Sequence, residues 1–331
     1  MKKKKVVVIG GGTGTHTVLR GLKKHQKQID VSAIVTMADS GGSTGRLRDE
    51  FGQLPVGDVR MALAALASDV DEQDELVRKL FLYRFDKGNG LSGHNFGNLL
   101  LVALTDILGS ETAAIRAAAR VLRVRGNVIP VTHEHTDLVA RYSDGVTVTG
   151  EHEIDEPADS RSGHSIEELK ISTPAAISEL AEEAILNADL IVLGPGDLYT
   201  SVLANVVIEG VPETLRSAPA KLVYVSNLVT KRGQTDDMGV AEHVSEIARY
   251  VGRNPDAVLV NTTPLPIDLK KRYEQQGEYP VTFNHEQDDV RVIPADLLAS
   301  EAVHTAGGDV LKRSLIRHDS RKLARKLMEL L

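Results

Sequence analysis

Residues 6–22, VVVIGGGTGTHTVLRGL, contain the pattern that decides the fold of this chain. The stretch begins with four β-branched residues, which are typical of a short buried strand. A glycine-rich segment, residues 10–14, follows, and apolar residues then recur with helical spacing up to Leu22. A second β-rich run at residues 31–36 completes a strand, loop, helix and strand, a unit in which the two strands are expected to be parallel.

The rest of the chain repeats this alternation and is interrupted once. Further strands are predicted at residues 190–193, 222–225, 257–260 and near 290–293, and helices at about 58–67, 73–84, 95–108, 111–123, 175–187, 239–250 and 320–330. Residues 37–60 contain many glycines and few apolar residues, so we interpret them as a connection.

The interruption spans about residues 127–165. A strand is predicted at 128–131, and two alternating segments, 138–142 and 146–149, flank Asp144-Gly145, which is a hairpin signal. Residues 151–165 are polar and charged, which predicts a mobile loop or flap. We therefore predict one α/β domain over residues 1–331: a doubly wound, mainly parallel, Rossmann-like sheet with helices on both faces and a small antiparallel insertion.

The composition excludes several kinds of protein. The chain has no cysteine, which excludes disulfides, thiol nucleophiles and thiolate metal sites and suits a reducing cytoplasm. Trp is absent, aromatic residues are 4% and the net charge is -7, so we expect neither base-stacking platforms for single-stranded nucleic acid nor a nucleic-acid partner. No apolar run approaches the roughly 20 residues of a membrane helix, so we predict a cytoplasmic protein without membrane insertion.

The glycine loop after the first strand is the first predicted ligand contact. Because they lack Cβ atoms, Gly11, Gly12 and Gly14 let backbone N–H groups approach a phosphate at the start of a helix. The loop fits neither register of the dinucleotide fingerprint G-x-G-x-x-G, and no Gly-Lys-Ser/Thr of a Walker A loop follows. The alternative is a tight turn without a ligand.

Two more loops follow the second strand. Residues 39–46, DSGGSTGR, combine glycines and hydroxyls with Asp39, which could hold a ribose hydroxyl or a metal, and Arg46, which could pair with a phosphate. The alternative for this stretch is a solvated loop. Asp58 is predicted to cap the helix that begins at about residue 58. Arg60 then lies in the first turn, where a cation is disfavoured, so we expect an anion beside it.

Later loops add polar groups at the ends of strands and helices. His94 precedes an apolar helix and could donate to a phosphate or transfer a proton, and helix capping is the alternative for it and for Asn95. Residues 194–201, GPGDLYTS, follow a very apolar strand and repeat the position of the first loop. Asn227 and Asn261 follow the next two predicted strands.

These loops give one set of predicted nucleotide-binding residues at the carboxyl edge of the sheet. The set is Gly11, Gly12, Thr13, Gly14, Asp39, Ser40, Gly41, Gly42, Ser43, Arg46, Arg60, His94, Asn95, Gly194, Gly196, Asp197, Tyr199, Asn227 and Asn261. The catalytic candidates among them are Asp39, His94 and Asp197, and no metal ligand is assigned.

In this order the loops resemble those of the gluconeogenesis factors of the YvcK type, which are relatives of the 2-phospho-L-lactate transferases (CofD-like proteins). The resemblance also covers residues 227–230, Asn261-Thr262 and Arg317-His318-Asp319, so it spans nearly the whole chain. The sequence departs from the family pattern at Ser40, where a second aspartate is frequent, and this departure removes one magnesium ligand.

The resemblance implies a nucleotide-binding core and two alternative functions. The first is a regulator without turnover that binds a UDP-sugar and links gluconeogenic carbon metabolism to cell-wall synthesis and cell shape. Its partners would be cell-wall synthesis or regulatory proteins, and a homo-oligomer is compatible with it. The second is a Mg²⁺-dependent transferase that moves a phosphate-containing group from a nucleotide-diphosphate-linked donor. There, Asp39 or Asp197 would hold magnesium and His94 would move a proton. An NAD(P)-dependent oxidoreductase, suggested by the first strands and Asp39, ranks below both.

Overall fold

The computed structural model describes residues 2–283, 290–300 and 315–331, and the description below concerns these residues. The strands are β1 (Lys4–Gly10), β2 (Ile29–Val35), β3 (Asn127–Pro130), β4 (Leu138–Tyr142), β5 (Thr147–Thr149), β6 (Ile166–Ile171), β7 (Leu190–Leu193), β8 (Lys221–Val225), β9 (Ala257–Asn261) and β10 (Arg291–Ala295). The helices are α1 (Gly12–Leu22), α2 (Gly42–Phe51), α3 (Gly57–Leu66), α4 (Glu72–Leu82), α5 (Phe96–Leu108), α6 (Glu111–Val121), α7 (Glu151–Asp155), α8 (Glu179–Leu186), α9 (Ala204–Val206), α10 (Val211–Ser217), α11 (Val240–Val251), α12 (Ile267–Glu274) and α13 (Ser320–Met328). A π-helical segment, Leu198–Leu203, leads into α9.

The main sheet is entirely parallel across its described strands, in the order β10-β9-β8-β7-β1-β2-β3. The order reverses at β1, because the chain places β2 and β3 on one side of it and β7 to β10 on the other. At such a reversal the connections leave in opposite directions and open a crevice at the carboxyl ends of the strands. The glycine loop after β1 therefore begins beside the loop after β7.

The strands of this sheet are buried on both faces, as expected for a parallel sheet between two layers. Val7 and Ile9 of β1 face a core that includes α8, α10, α11 and the antiparallel sheet. Val6 and Val8 face a second core that includes α1, α3 and α13. The predicted doubly wound α/β fold with helices on both faces is thereby confirmed.

The insertion forms a three-stranded antiparallel sheet in the order β5-β4-β6. The predicted hairpin corresponds to β4 and β5, but the third strand, β6, lies beyond the predicted end of the insertion at residue 165. The predicted strand at 128–131 corresponds to β3, which pairs with β2 in the parallel sheet and so lies outside the antiparallel one. The predicted flap begins with a helix, α7, which lies against the sheet edge.

Helix α2 is absent from the predicted elements. The interpretation of residues 37–60 as a connection is wrong over residues 42–51. Gly42 and Gly45 have low intrinsic helix propensity. However, Ser43, Thr44 and Leu47 are buried in the fold, so tertiary packing stabilises a helix that the local sequence does not favour.

Candidate functional site

A cavity of about 510 Å³ lies at the carboxyl edge of the main sheet, where the strand order reverses. Its lining comes mainly from the loops that follow β1, β2, β7 and β8. Helix α7, helix α12 and the segment before α13 complete it. The volume lies within the range of roughly 300–1,000 Å³ that is usual for sites of small molecules and cofactors.

Three helices begin at this cavity without a cap from the side chain of their own N-cap residue, although Asp58 accepts the N–H of Gly12 at the start of α1. The N-cap residues of α1, α2 and α3 are Gly11, Gly41 and Val56, and none of them has a side chain that accepts from the first-turn N–H groups. Residues of all three first turns line the cavity. Uncapped N–H groups and the positive ends of the helix dipoles favour an anion at such a place.

Two glycine loops meet at the floor of the cavity. A Cβ atom on Gly14 would lie 2.1 Å from the carbonyl oxygen of Pro195, so only glycine allows the start of α1 to approach the loop after β7 this closely. Gly196 and Asp197 of that second loop also line the cavity. The strand-to-helix turns after β1 and β7 therefore form one continuous surface at the floor of the cavity.

A cluster of buried carboxyl groups faces these loops. The backbone N–H of Gly12 donates to Asp58 Oδ1 at 2.7 Å, and the N–H of Gly41 donates to Asp39 Oδ1 at 2.9 Å. Burial, together with repulsion from Asp39, raises the pKa of Asp58 to about 7. Burial also raises the pKa of Asp39. Glu151 of α7 has a pKa raised by burial and by Asp39.

A second charged group lies between α7 and the loops after β7 and β8. Lys231 Nζ lies 3.5 Å from Asp155 Oδ1 and 3.7 Å from Asp197 Oδ2. Burial alone would raise the pKa of Asp155, but Lys231 holds it below its ordinary value. Asp197 has a pKa raised to about 7 by burial, against the attraction of Lys231 and with repulsion from Asp155. The two carboxyl groups beside Lys231 therefore differ, because the pKa of Asp155 is lowered and the pKa of Asp197 is raised.

Another part of the wall carries guanidinium and amide groups. Arg60 is buried in the first turn of α3, and its Nε donates to Asn98 Oδ1 at 2.7 Å. Asn98 Nδ2 in turn lies within 3.3 Å of Ser43 Oγ and 3.4 Å of Thr44 Oγ1, so α2, α3 and α5 are joined at the cavity. Arg84, from the loop after α4, lines the same cavity.

Part of the cavity lining is apolar. Tyr273, Leu228, Leu315 and Ile316 line the cavity and belong to one hydrophobic cluster. The buried Tyr273 accepts, through its hydroxyl, from the backbone N–H groups of Leu315 at 2.7 Å and Ile316 at 3.2 Å, which fixes its ring against the segment before α13.

The structure brings many of the predicted residues to this cavity and leaves others outside it. The predicted residues that line it are Gly11, Gly12, Thr13, Gly14, Asp39, Gly41, Ser43, Arg60, Gly196, Asp197 and Asn227. Those that do not line it are Ser40, Gly42, Arg46, His94, Asn95, Gly194, Tyr199 and Asn261.

Three of the outlying side chains are bound to protein groups instead. Arg46 does not line the cavity, and its Nη2 donates to the carbonyl oxygen of Ser92 at 3.2 Å. The hydroxyl of Tyr199 donates to Glu246 Oε1 at 3.0 Å, and its ring is buried in the core on the other side of the loop. Ser40 Oγ accepts from the backbone N–H of His152 at 3.0 Å.

The other three outlying side chains also contact protein groups, and among them Asn95 has the capping role given by the alternative interpretation. His94 does not line the cavity, and its Nδ1 lies 3.3 Å from Ser43 Oγ. Asn95 caps α5 by accepting from the N–H of Gly97 at 2.9 Å. Asn261 accepts from the N–H groups of Thr263 and Leu297 at 3.2 and 3.0 Å.

Sequence reasoning missed several lining residues. Asp58 is predicted to cap a helix, but α3 has Val56 as its N-cap and Asp58 accepts from Gly12 across the cavity floor. Glu151 and Asp155 fall in a segment predicted as a flap, and Lys231 follows Thr230 directly. Lys231 could have been predicted from its position just after the loop that follows β8. No local sequence pattern distinguishes Glu151 or Asp155 as lining residues.

The described residues contain neither a membrane-spanning helix nor a cluster of metal-binding side chains. No helix within residues 2–283, 290–300 and 315–331 is long and apolar enough to cross a membrane. Within the same ranges, no three His, Asp or Glu side chains are arranged so that they alone could hold a metal ion.

Comparisons with a family model and with known relatives indicate the same family. Residues 6–298 match the family model described as 2-phospho-L-lactate transferase CofD. The gluconeogenesis factor of Bacillus subtilis (strain 168) is 40% identical over 333 residues, covering 100% of this chain and 99% of the relative. The gluconeogenesis factor of Listeria innocua is 39% identical over 331 residues, covering 99% and 96%.

A solved structure agrees with the sequence comparisons. The crystal structure of a member of the UPF0052 family from Bacillus halodurans has a TM-score of 0.88 and 36% sequence identity to this chain. The alignment covers 99% of each chain. The fold, the loop order and the full-length identities therefore agree, and this chain belongs to the CofD family, alongside proteins named gluconeogenesis factor.

Proposed function

We propose that the cavity binds a nucleoside-diphosphate sugar, specifically a UDP-sugar. The observation that carries this proposal is the lining of the cavity, which combines the first turns of α1, α2 and α3 with the apolar side chains of Leu228, Leu315 and Ile316 beside Tyr273. Helix N-termini supply donors and positive potential for a diphosphate. A rigid aromatic ring beside aliphatic side chains suits a nucleobase.

The biological role that we propose is regulation without turnover. In this proposal the ligand-bound protein acts in the cytoplasm and links gluconeogenic carbon metabolism to cell-wall synthesis and cell shape, through cell-wall synthesis or regulatory proteins. The names of the relatives support the metabolic part. The position of His94 behind the wall supports binding without proton transfer by that residue.

Calorimetric titration tests the binding proposal. UDP-glucose, UDP-N-acetylglucosamine, GDP, ADP and NAD would be titrated into the protein with and without Mg²⁺. A ligand at a hundred times its dissociation constant adds about 2.7 kcal/mol to the free energy of unfolding, so thermal denaturation provides an independent readout. Binding confined to uridine nucleotides supports the proposal, and binding confined to guanosine nucleotides or dinucleotides contradicts it.

Two asparagines provide a matched pair of variants. Asn227 and Asn261 both follow strands of the sheet, but only Asn227 lines the cavity. Asn227→Ala is expected to weaken UDP-sugar binding by about 1 kcal/mol, the usual loss for one hydrogen bond. Asn261→Ala removes contacts to Thr263 and Leu297 instead, so the folded variant should bind the ligand as the wild type does.

A Mg²⁺-dependent transferase is the second candidate, and the paired carboxyl groups of Asp39 and Asp58 favour it. Each opposes ionisation of the other, and a divalent cation would relieve that repulsion. Mg²⁺ usually binds one or two carboxylates together with substrate phosphates and water, and these two residues fit that arrangement. The cation would neutralise charge on a transferring phosphate-containing group. Mass spectrometry of mixtures with nucleotide-linked donors and acceptors tests for product.

A further inference from the structure

The outer surface of α1 and α13 carries basic side chains that have no acidic partner. Arg20 lies in the last turn of α1, and Lys24 lies in the short 3₁₀ turn that follows this helix. Arg321 and Arg325 lie on α13. All of these side chains are exposed, and none forms an ion pair with an acid in the part of the chain that the structure describes. We refer to these residues together as the basic patch.

A close contact between the two helices brings the basic patch together. A Cβ atom on Gly21 would lie 2.0 Å from the carbonyl oxygen of Ser320, so α1 and α13 touch at this glycine. Arg20 immediately precedes Gly21, and Arg321 immediately follows Ser320. The other two residues of the patch lie four positions further along the chain, about one helical turn away on the same side. Both helices pack on one face of the main sheet, so their exposed residues share one outer surface.

Helix stability accounts for only part of this patch. Arg20 and Arg325 lie in last turns, where the helix dipole favours a cation. Arg321 lies in the first turn of α13, where the dipole disfavours one. The acid nearest to it in sequence, Asp319, caps the helix and accepts from the backbone N–H groups of Arg321 and Lys322 at 2.8 and 2.9 Å. The position of the Arg321 guanidinium group therefore has no explanation in the stability of α13.

The lysines beside the patch differ from it because they are paired. On α13 itself, Lys322 Nζ lies 2.7 Å from Asp296 Oδ2, and Lys326 Nζ lies 2.8 Å from Glu329 Oε2. Acids are therefore present on this side of the molecule, and they leave the patch positive. The chain as a whole has a net charge of -7, so the patch has the opposite sign to the average surface.

The chemistry of the patch favours one kind of anionic partner. On α1 and α13, which are both described in full, no large apolar side chain is exposed. The patch therefore lacks the apolar anchors of a membrane-bound helix and the aromatic rings on which nucleic-acid bases stack. An extended anionic surface would also be repelled by the net charge of the protein. A short acidic segment interacts mainly with charges within the screening length of about 10 Å at 0.1 M salt.

We propose that the basic patch is a docking site for an acidic segment of a partner protein. Guanidinium groups present two parallel N–H donors that match the two oxygens of a glutamate or aspartate carboxylate. Basic residues on two packed helices would hold such a segment across their contact at Gly21. None of the patch residues lines the cavity, so docking does not require a particular ligand there. The patch thus supplies the chemistry of a protein partner for a regulatory role.

Fluorescence anisotropy with a labelled poly-glutamate peptide tests the proposal on the full chain, with no nucleotide present. We expect the wild-type protein to bind the peptide at low ionic strength and to bind it more weakly as salt is added, because exposed charges are screened. Arg20→Glu and Arg321→Glu change one residue of the patch on each helix. Each should raise the dissociation constant at least about fivefold, because repulsion replaces attraction at that position.

Lys326→Glu is the matched control. It makes the same change of charge on the same helix as Arg321→Glu, but Lys326 is paired with Glu329 and lies outside the patch. Its affinity for the peptide should stay within about twofold of the wild type, since the net charge alone has a weak effect at this range. Arg321→Glu also places an acid in the first turn of α13, where the dipole favours it. The midpoint of urea unfolding should therefore not fall in this variant, which separates lost affinity from lost stability.

The outcomes decide whether the patch binds acidic protein segments. Losses of affinity in both patch variants and not in Lys326→Glu support the proposal. Absence of peptide binding by the wild-type protein overturns it, and so do equal losses in Arg321→Glu and Lys326→Glu, which would assign the effect to overall charge. Tighter binding to phosphatidylglycerol vesicles or to a DNA duplex than to the peptide also overturns it. Because the assay contains no nucleotide, none of these outcomes bears on the binding of a UDP-sugar.

Discussion

Asp58 occupies the glycine loop after β1: its Oδ1 accepts the backbone N–H of Gly12 at 2.7 Å, across 46 residues of sequence. One of the N–H groups that the loop could offer to a phosphate is therefore already bound to a carboxyl group of α3. The loop differs in this respect from a dinucleotide-binding turn, in which successive N–H groups remain for the ligand. The bond also fixes α3 relative to α1, and both helices begin at the cavity.

The contact predicts a specific effect of Gly11→Ala. A Cβ atom at residue 11 would lie 2.2 Å from Asp58 Oδ2, so the carboxyl group must move. We expect a loss of about 1–3 kcal/mol in the free energy of unfolding, as for overpacking elsewhere, measured by urea denaturation. Adding Asp58→Ala should recover part of the loss. Gly90→Ala is the control, because no atom lies within 4 Å of its Cβ position; an equal loss there would contradict the steric explanation.

Lys231→Met should be strongly destabilising. The ammonium group lies within 4 Å of both Asp155 and Asp197, and its removal leaves two partly buried carboxyl groups without their cation. We expect a loss of about 1–3 kcal/mol, less than for a fully buried pair, because the side chains of Asp155 and Asp197 are 24% and 36% exposed. Lys3→Met breaks the exposed pair with Asp30 and should cost less than about 1 kcal/mol. Similar losses in both variants would mean that Lys231 does not stabilise the buried acids.

The buried acids predict how stability depends on pH. Asp58 and Asp197 have folded-state pKa values raised from 3.8 to about 7. The folded protein therefore holds protons that the unfolded chain releases, and the stability due to these groups falls as the pH rises from about 4 to about 7. Asp58→Asn should make that fall shallower in urea midpoints measured across this range, whereas Asp30→Asn on the surface should leave it unchanged. An unaltered slope in Asp58→Asn would show that Asp58 is ionised throughout.

His94→Gln should lower the stability of the protein and leave its affinity for the ligand unchanged. The imidazole lies behind the wall, against Ser43 Oγ, and does not line the cavity. We expect the midpoint of urea unfolding to fall by an amount that corresponds to about 1 kcal/mol, the loss of one hydrogen bond. The affinity for a UDP-sugar should stay within about twofold of the wild type. Asn98→Ala, one helical turn away and on the cavity wall, should instead lower the affinity. A larger loss of affinity in His94→Gln than in Asn98→Ala would indicate that His94 contacts the ligand.

The periodicity of the sequence was sufficient to predict the sheet because its strands are short, apolar and separated by glycine or polar loops. Leu190–Leu193 has the predicted bounds, and it is buried throughout. The strand β6, IEELKI, was not predicted because it alternates irregularly between buried and exposed residues, and the residues of β4 that pair with it are 24 or more positions away. Helix α2 was not predicted because its glycines have low helix propensity, whereas burial of its other residues stabilises it.

The candidate site was predicted only where its residues follow strands. Gly11 to Gly14, Asp39, Asp197 and Asn227 lie at strand ends, and parallel strands bring such ends to one edge. Glu151 and Asp155 come from the insertion, so their presence at the edge depends on how that sheet packs on the main one. Arg46 and Tyr199 have suitable chemistry in suitable loops, but side-chain direction decides their contacts, and the sequence does not specify it.

The cavity takes lining residues from Gly11 near the start of the sequence to His318 near its end, and α13 packs on α1. A ribosome that has released β1 and α1 has therefore produced only part of the site, and the lining residues Tyr273 and Leu315 to His318 are synthesised last. Contacts between such distant segments close large loops and form late in folding. Binding of a ligand that contacts both Gly11 and His318 would consequently require that synthesis has passed residue 318 and that α13 has packed on α1.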